Sequence, residues 1–201
     1  MSETQVPMSG TAERALFLCD LVRSTDLFQR LGEQRTAELL RQHDRFARDL
    51  LGRYDGQEID KSDGFLFLFR RIGDAVGYAV AYHAAVDRLA ATSEVPLAAR
   101  AGIHFGEVLL FENTPEDVRR GAKPLEVEGL AKPLAARLMS LALPGQTLMT
   151  RAAYELARAS ELPAPGEELE WLAHGKYRVQ GLIEPVSVFE VGVPARSPLA
   201  A

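Results

Sequence analysis

The sequence contains one cysteine, Cys19, and no excess of positive charge. A single thiol cannot build a disulfide framework and suits a reducing compartment, so we expect a cytoplasmic protein. The formal net charge of −5 argues against a basic surface for nucleic acids. No apolar run reaches the roughly 20 residues that a membrane-spanning helix needs, and the polar N-terminus lacks the pattern of a signal peptide. We therefore expect neither a nucleic-acid partner nor a membrane segment in this chain.

The remaining composition is that of a globular domain. Of the 201 residues, 47% are hydrophobic and 25% are charged, which allows one domain with a sizeable core. The polar stretch 1–14 and the end 193–201 are predicted to be flexible tails.

Strand patterns occur at several places between these tails. Short apolar strands are predicted at 15–19, on both sides of a turn at Ser62, Asp63 and Gly64, at 146–150, and in a final hairpin over 171–179 and 186–191. The stretch 97–112 is predicted to form two strands that meet near Gly106, before a polar loop.

Amphipathic periodicity predicts helices between the strands. The first is capped by Ser24 or Thr25 and ends at Gly32, and longer ones cover 35–51, 72–91, 128–143 and 151–160. Mixed helices with several adjacent strands favour an α+β sandwich with a mainly antiparallel sheet.

Two aspartates follow apolar strands. Asp20 ends the first strand, and Asp63 lies in the hairpin turn. If the strands are neighbours, both carboxylates reach one sheet edge, and such hard oxygen ligands suit Mg²⁺ or Mn²⁺. Taken singly, each aspartate is equally well explained as a turn or cap residue.

Five ordered segments carry a family resemblance. Together, FLCDLVRST, EIDKSDGFLFLF, RAGIHFGEV, EVEGLAKPLAARLMSLALPGQTLMT and YRVQGLIEPVSVFEV resemble the class III nucleotidyl cyclase catalytic domain, over residues 15–192. The resemblance implies a ferredoxin-like βαββαβ core with an extra C-terminal helix and hairpin. It also implies conversion of a nucleoside triphosphate to the 3′,5′-cyclic nucleotide and pyrophosphate.

The resemblance assigns a role to each matched residue at the reacting phosphates. Asp20, Asp63 and the Leu21 carbonyl would hold two Mg²⁺ or Mn²⁺ ions. Arg137 would stabilise the transition state. Further contacts to the triphosphate are expected from Val22, Arg23, Ser24, Thr25 and Arg100. Arg100 is equally explained as a surface side chain at the start of a strand.

The base and ribose contacts depart from the family pattern. The position of the purine-reading lysine holds Ile59, and the nearest lysine is Lys61, which we expect on the same strand face because side chains alternate with period two. Glu126 is expected to accept a hydrogen bond from an exocyclic amine, which favours ATP, although it is equally explained as a solvated loop residue.

Two further departures concern the ribose and the γ-phosphate. Pro133 replaces the ribose asparagine, with Lys132 as a substitute, and Gln180 replaces a phosphate-binding lysine. These departures leave three hypotheses open: an adenylate cyclase, a cyclase for GTP or a pyrimidine triphosphate, and a degenerate domain with little turnover. In all three the resemblance implies a homodimer whose two subunits build each site.

Overall fold

The computed structural model describes residues 9–162, 168–194 and 196–199. A single eight-stranded sheet runs through it, with the strand order β2-β3-β1-β4-β6-β8-β7 and with β5 on β4. The strands are β1 (Ser9–Leu21), β2 (Gly56–Lys61), β3 (Gly64–Phe69), β4 (Ala99–Glu112), β5 (Leu125–Glu128), β6 (Thr147–Thr150), β7 (Glu170–Tyr177) and β8 (Val186–Gly192). The helices are α1 (Ser24–Leu51), α2 (Ile72–Thr92), α3 (Pro115–Arg119), α4 (Ala131–Leu141) and α5 (Arg151–Ala159).

The first six long elements form the predicted ferredoxin-like core. In chain order they are β1, α1, β2, β3, α2 and β4, and their strands pair as β2-β3-β1-β4 with every neighbour antiparallel. This is the βαββαβ arrangement. The parallel pair β4–β6 then joins the additional helix α5 and the hairpin β7–β8 to the core. The predicted α+β fold with a C-terminal helix and hairpin is confirmed.

Helices cover the two faces of the sheet unequally. On one face α1 and α2 bury alternate residues of β1 and β3, and the rings of Phe17, Phe67, Tyr78 and Tyr82 stack there. On the other face α4 covers a smaller apolar cluster that includes Leu16, Leu66 and Leu68. Because side chains alternate along a strand, a strand end delivers its last residues to both faces.

Two strand predictions need correction. β1 begins at Ser9, six residues before the predicted domain start, because Ser9 to Arg14 continue the ladder to β4. Residues 1–8 of the predicted tail lie outside the described residues. Residues 99–112 form one strand, not two, since the absent side chain of Gly106 leaves room for the His104 ring, which would lie 2.7 Å from a Cβ there.

Three helix predictions also need correction. Helix α1 spans Ser24–Leu51, and its non-helical backbone at Gly32 agrees with the predicted end of a first helix there, but Arg23, and not Ser24 or Thr25, occupies the N-cap, without a side-chain hydrogen bond. Ser24 and Thr25 are therefore inside the helix. The polar loop contains α3, capped by Thr114. Glu128, the predicted start of a helix, is instead the last residue of β5, and α4 begins at Ala131.

Among the described residues, no helix combines the length and apolar character needed to cross a membrane.

Candidate active site

The two predicted metal-binding aspartates lie at adjacent positions of the sheet. Asp20 is the penultimate residue of β1 and pairs with Gly64 of β3, the residue directly after Asp63. A Cβ on Gly64 would lie 2.0 Å from the Cys19 carbonyl oxygen and 3.1 Å from the Asp20 Cβ. The missing side chain therefore lets the Asp63 turn approach the end of β1, as the hairpin pattern predicted.

Both carboxylate oxygens of Asp20 accept hydrogen bonds from Arg100. Arg100 Nε lies 2.7 Å from Oδ1, and Nη2 lies 2.9 Å from Oδ2. The two residues face each other across the β1–β4 ladder. This two-pronged geometry is the strongest pairing available to an arginine and a carboxylate, and the hydrogen bonding of Arg100 to the Asp20 carboxylate raises the pKa of Arg100.

A third hydrogen bond anchors the Arg100 side chain to α4. Nη1 donates to the Ser140 carbonyl, 3.1 Å away in the last turn of that helix. Helix α4 lies close to β4 because Gly102 has no side chain: a Cβ there would be 2.3 Å from the Ala135 carbonyl oxygen. The close packing of a helix on a strand thus positions the arginine that holds Asp20.

The turn between β1 and α1 offers an anion site smaller than predicted. The Val22 amide donates to the Ala98 carbonyl at 2.8 Å, so it is not free to bind phosphate, and that part of the prediction is wrong. Arg23 has left-handed backbone angles, φ 56° and ψ 38°, which are uncommon for a residue other than glycine. The amides of Ser24 and Thr25 open the helix and have no preceding carbonyl within it to bind.

A cleft of about 530 Å³ runs beside this turn, lined among others by Val22, Arg23, Asp26, Ala98 and Pro144. A larger cleft of about 650 Å³ lies at the opposite end of the core strands, where its lining includes Gly10 and Phe69. None of the predicted site residues lines this cleft. The volume of a cleft therefore does not identify the candidate site, because the larger of these two clefts lies elsewhere.

The residues at this strand end fit a divalent cation. Asp20 and Asp63 supply carboxylate oxygens, which are the hard ligands that Mg²⁺ and Mn²⁺ prefer. The Asp20 carboxylate already holds a cationic group, the Arg100 guanidinium, in the described structure. No cluster of three or more histidine, cysteine or acidic side chains suited to a metal occurs in the described ranges, so any cation here depends on these two aspartates and on ligands from elsewhere. We call Asp20, Asp63, Arg100 and the amides of Ser24 and Thr25 the strand-end site.

The transition-state arginine of the resemblance lies on α4, outside that site. Arg137 is exposed, and none of the described residues forms a hydrogen bond or ion pair with it. Pro133 occupies the first turn of α4, where its missing N–H costs no hydrogen bond, and the first backbone bond of the helix runs from Leu134 to the Leu130 carbonyl. Lys132 lies beside it; the hydrogen bond from Lys123 is the main cause that lowers the pKa of the Asp60 carboxyl, and the charge of Lys132 adds a smaller effect in the same direction.

Lys61 lies on the opposite sheet face from Ile59, and the expectation that they share a face is wrong. A bulge between Glu58 and Asp60 shifts the β2 register by one residue. Ile59 packs in the cluster beneath α4, while the Lys61 ammonium donates to the Ser62 carbonyl at 2.8 Å and lies 5.1 Å from the centre of the Phe65 ring on the α1 face.

The same bulge places Asp60, which was not among the predicted site residues, on the α4 side of the sheet. Asp60 forms an ion pair of 2.6 Å with Lys123 from the segment before β5. The Lys123 carbonyl accepts from Asn113 Nδ2, and the same amide group donates to Glu126 Oε1; both distances are 2.8 Å. We call Asp60, Lys123, Asn113 and Glu126 the surface network. Only Glu126 was predicted, because a bulge and a long-range ion pair leave no local pattern.

The phosphate-binding position of the final hairpin remains uncharged. Gln180 is exposed in the loop between β7 and β8, next to the buried Val179. Lys176 and Arg178, which flank it, are exposed as well.

Comparison with solved structures gives the same architecture repeatedly. The adenylyl cyclase CyaB from P. aeruginosa matches with a TM-score of 0.79 and 19% identity, covering 92% of this chain and 95% of that one. The guanylyl cyclase Cya2 matches with a TM-score of 0.76 and 20% identity, covering 96% of this chain and 99% of that one.

The chain has the fold of adenylyl and guanylyl cyclase domains. A third example is the guanylate cyclase domain of RhGC from Catenaria anguillulae, in complex with GTP, with a TM-score of 0.75 and 13% identity over 92% of this chain and 98% of that one. No family model matches the sequence, and no curated protein does. The cyclase fold is thus retained at identities of 13–20% to these three structures.

Proposed function

We propose that the protein is a nucleotidyl cyclase that converts a nucleoside triphosphate, ATP in the first place, to its 3′,5′-cyclic nucleotide and pyrophosphate. The observation that carries the proposal is the pairing of Asp20 with Gly64, which puts Asp63 next to Asp20 at one strand end of a cyclase fold. Arg100 already pairs with Asp20, so a second carboxylate beside it does not serve the stability of the sheet, since like charges repel.

The proposed reaction forms one bond at phosphorus and breaks another. The ribose 3′-oxygen attacks the α-phosphorus and loses its proton, and the bond to the bridging oxygen breaks so that pyrophosphate leaves. Two bound Mg²⁺ or Mn²⁺ ions would supply Lewis-acid stabilisation of the attacking and leaving oxygens. Asp20, Asp63 and the Leu21 carbonyl would hold the cations, while the amides of Ser24 and Thr25 would donate to the phosphate oxygens.

The exposed arginine on α4 supports a homodimeric site. Arg137 has no partner within the described parts of its own chain, and a planar guanidinium suits the spread charge of a reacting phosphate. In the proposed C2 dimer it reaches the strand-end site of the second copy. Arg100 turns from Asp20 to the triphosphate when nucleotide binds.

Base selection in this proposal involves the surface network. Glu126 and Asp60 accept hydrogen bonds and Lys123 donates, so the network offers both kinds of group to a base edge. A carboxylate acceptor favours an exocyclic amine, which adenine provides. GTP and the pyrimidine triphosphates are the competing substrates.

The direct test is product analysis with all four ribonucleoside triphosphates and Mn²⁺, read by mass spectrometry. We expect cyclic AMP as the main product, and no product from Asp20→Ala or Asp63→Ala. Asp49→Ala, which removes an exposed carboxylate in the last turn of α1, serves as the control and should retain activity.

Mixing two inactive variants tests the shared site. Equal amounts of Asp20→Ala and Arg137→Ala should recover about a quarter of the wild-type activity per dimer, because half of randomly paired dimers are mixed and each carries one intact site. Absence of recovery would contradict the shared site.

A second candidate is a degenerate domain that binds nucleotide without turnover. The pairing of both Asp20 oxygens with Arg100 favours it, as does the loss of a ribose-binding side chain at Pro133. A clean dimer that binds ATP but forms no cyclic product from any of the four nucleotides would establish this candidate and reject the enzyme.

A further inference from the structure

The pair Asp20–Arg100 is a built feature of the strand end. The two residues are direct neighbours across β1 and β4, and their side chains are 20% and 30% exposed. Partial burial matters, because such a pair is screened far less by solvent than one on the open surface. The ion pair is therefore the resting partner of the Asp20 carboxylate.

The contact with α4 fixes the guanidinium from its other side. Its Nη1 atom donates to the Ser140 carbonyl, one of the last carbonyls of a helix, where the backbone carries partial negative charge. Arg100 thus has three hydrogen bonds, two of them to Asp20. If the Arg100 side chain turns away from Asp20, it loses the two shortest of these three hydrogen bonds.

A divalent cation and this guanidinium compete for the same carboxylate. Arg100 uses one lone pair on each Asp20 oxygen, and a cation bound to either oxygen would face a positive charge a few ångströms away. At that distance the repulsion between like charges at a partly buried site is substantial. Tight binding of the metal therefore requires the guanidinium to leave.

We propose that Arg100 is a resident counter-ion that a divalent metal displaces from Asp20, so that the strand-end site binds metal tightly only when Arg100 has another anion to bind. The triphosphate would be that anion, which couples metal binding to nucleotide binding. The inference relies on the proposed function only for the place of the cation. It would hold equally in a domain that does not turn over.

Mn²⁺ titration without nucleotide, read by the electron paramagnetic resonance signal of free Mn²⁺, tests the proposal. The variant Arg100→Gln should bind Mn²⁺ about tenfold more tightly than the wild type, a change that corresponds to about 1.4 kcal/mol. The double variant with Asp20→Asn should lose this gain. A gain that survives Asp20→Asn, or no gain at all, would overturn the proposal.

The chain offers a matched control in a second arginine fork. Arg48 of α1 binds Glu58 of β2 through Nε at 2.7 Å and Nη2 at 2.9 Å, the same geometry at a pair that does not include Asp20 or Asp63. The variant Arg48→Gln changes the net charge equally and frees a carboxylate, yet should leave the Mn²⁺ affinity within about twofold of wild type. An equal gain in Arg48→Gln would reduce the effect to general electrostatics and refute the proposal.

A measurement on the wild type remains decisive even if Arg100→Gln fails to fold. In protein labelled with ¹⁵N-arginine, the Nε–H signals of Arg48 and Arg100 report the two forks, with assignment through Arg48→Lys and Arg100→Lys. Saturating Mg²⁺ should move the Arg100 signal and accelerate its exchange with water, while the Arg48 signal stays in place. An unmoved Arg100 signal at saturation means that the metal binds beside an intact pair, against the proposal.

Discussion

The strand-end site and the surface network each hold carboxylates against cations, but in different ways. Asp20 is fixed by the β1–β4 ladder, by a two-pronged arginine and, through that arginine, by a helix end. Asp60 is held by a bulge and by a single lysine from a long connection, with both side chains more exposed.

The difference separates two demands on the molecule. Under the proposed function, groups that act on phosphorus have to be held in one geometry, which a ladder and a partly buried ion pair provide. The proposed base contacts lie on more exposed ion pairs, each of which contributes little to stability. The proposal therefore expects substitutions in the surface network to alter specificity without disturbing the strand-end site.

Two aspartates three positions apart give the sharpest comparison of the regions. We expect Asp63→Asn to lower kcat at least about 100-fold, the usual scale for loss of one group that stabilises a transition state. Asp60→Asn, an identical chemical change, should lower kcat/KM less than about tenfold. Steady-state kinetics with ATP measures both, and equal losses would erase the distinction between the regions.

Gly102 tests whether the strand-end site depends on the close packing of α4. In Gly102→Ala the added methyl carbon would meet the Ala135 carbonyl oxygen at 2.3 Å and the Met139 nitrogen at 2.4 Å. We expect a loss of about 2–3 kcal/mol in the free energy of unfolding, as in other overpacked cores, measured by urea denaturation.

The control for this substitution is Gly52→Ala. A Cβ at Gly52 meets nothing within 4 Å, and the backbone there is helical. Its unfolding free energy should change by less than about 1 kcal/mol. A similar loss of stability in both variants would contradict the idea that Gly102 is needed for the close packing of α4 on β4.

As the pH falls, the free energy of unfolding should decrease first through two histidines, His83 of α2 and His104 of β4, and only later through the surface network. Burial lowers the pKa of His83 and His104 to about 4, from an ordinary value near 6.5. Between those values the unfolded chain binds protons that the folded chain does not, so stability falls with falling pH, by up to about 1.4 kcal/mol per pH unit for each histidine.

Asp60 should respond only at lower pH. Its hydrogen bond from Lys123 lowers the pKa of the carboxyl, so its contribution is present above the ordinary aspartate pKa and is lost as the pH falls through the lower folded value. Urea denaturation at pH 7.5, 5.5, 4.5 and about 3 checks the order, because only the last lies below the ordinary aspartate pKa. His104→Asn should flatten the dependence above pH 4.5, and an unchanged slope in that variant would contradict it.

The smallest effects on activity are expected from substitution of two lysines, Lys123 before β5 and Lys61 of β2. Lys123→Ala should change the ratio of kcat/KM for ATP over GTP by about threefold or more, and its cost in stability should stay below about 1 kcal/mol and vanish in high salt. Lys61→Ala should leave the ratio unchanged, because that ammonium lies on the α1 face. A shift in Lys61→Ala alone would restore Lys61 as the base-reading residue.

The sequence by itself determined the fold class and the place of the two aspartates. Alternation with period two, helical periodicity and turn residues are local properties, so they indicate β1, the β2–β3 hairpin and the long helices directly. Asp20 and Asp63 follow from them, because a residue at a strand end or in a tight turn is placed by its neighbours in the chain.

Only the tertiary structure decided the partners of those residues. The pairing of Arg100 with Asp20 and the contact of Arg100 with Ser140 span 80 and 40 positions of the chain. The bulge that separates Lys61 from Ile59 depends on how β2 fits β3, and Asp60 meets Lys123 only once β5 lies beside β4. Register and long-range packing are set by the whole sheet, and no local pattern encodes them.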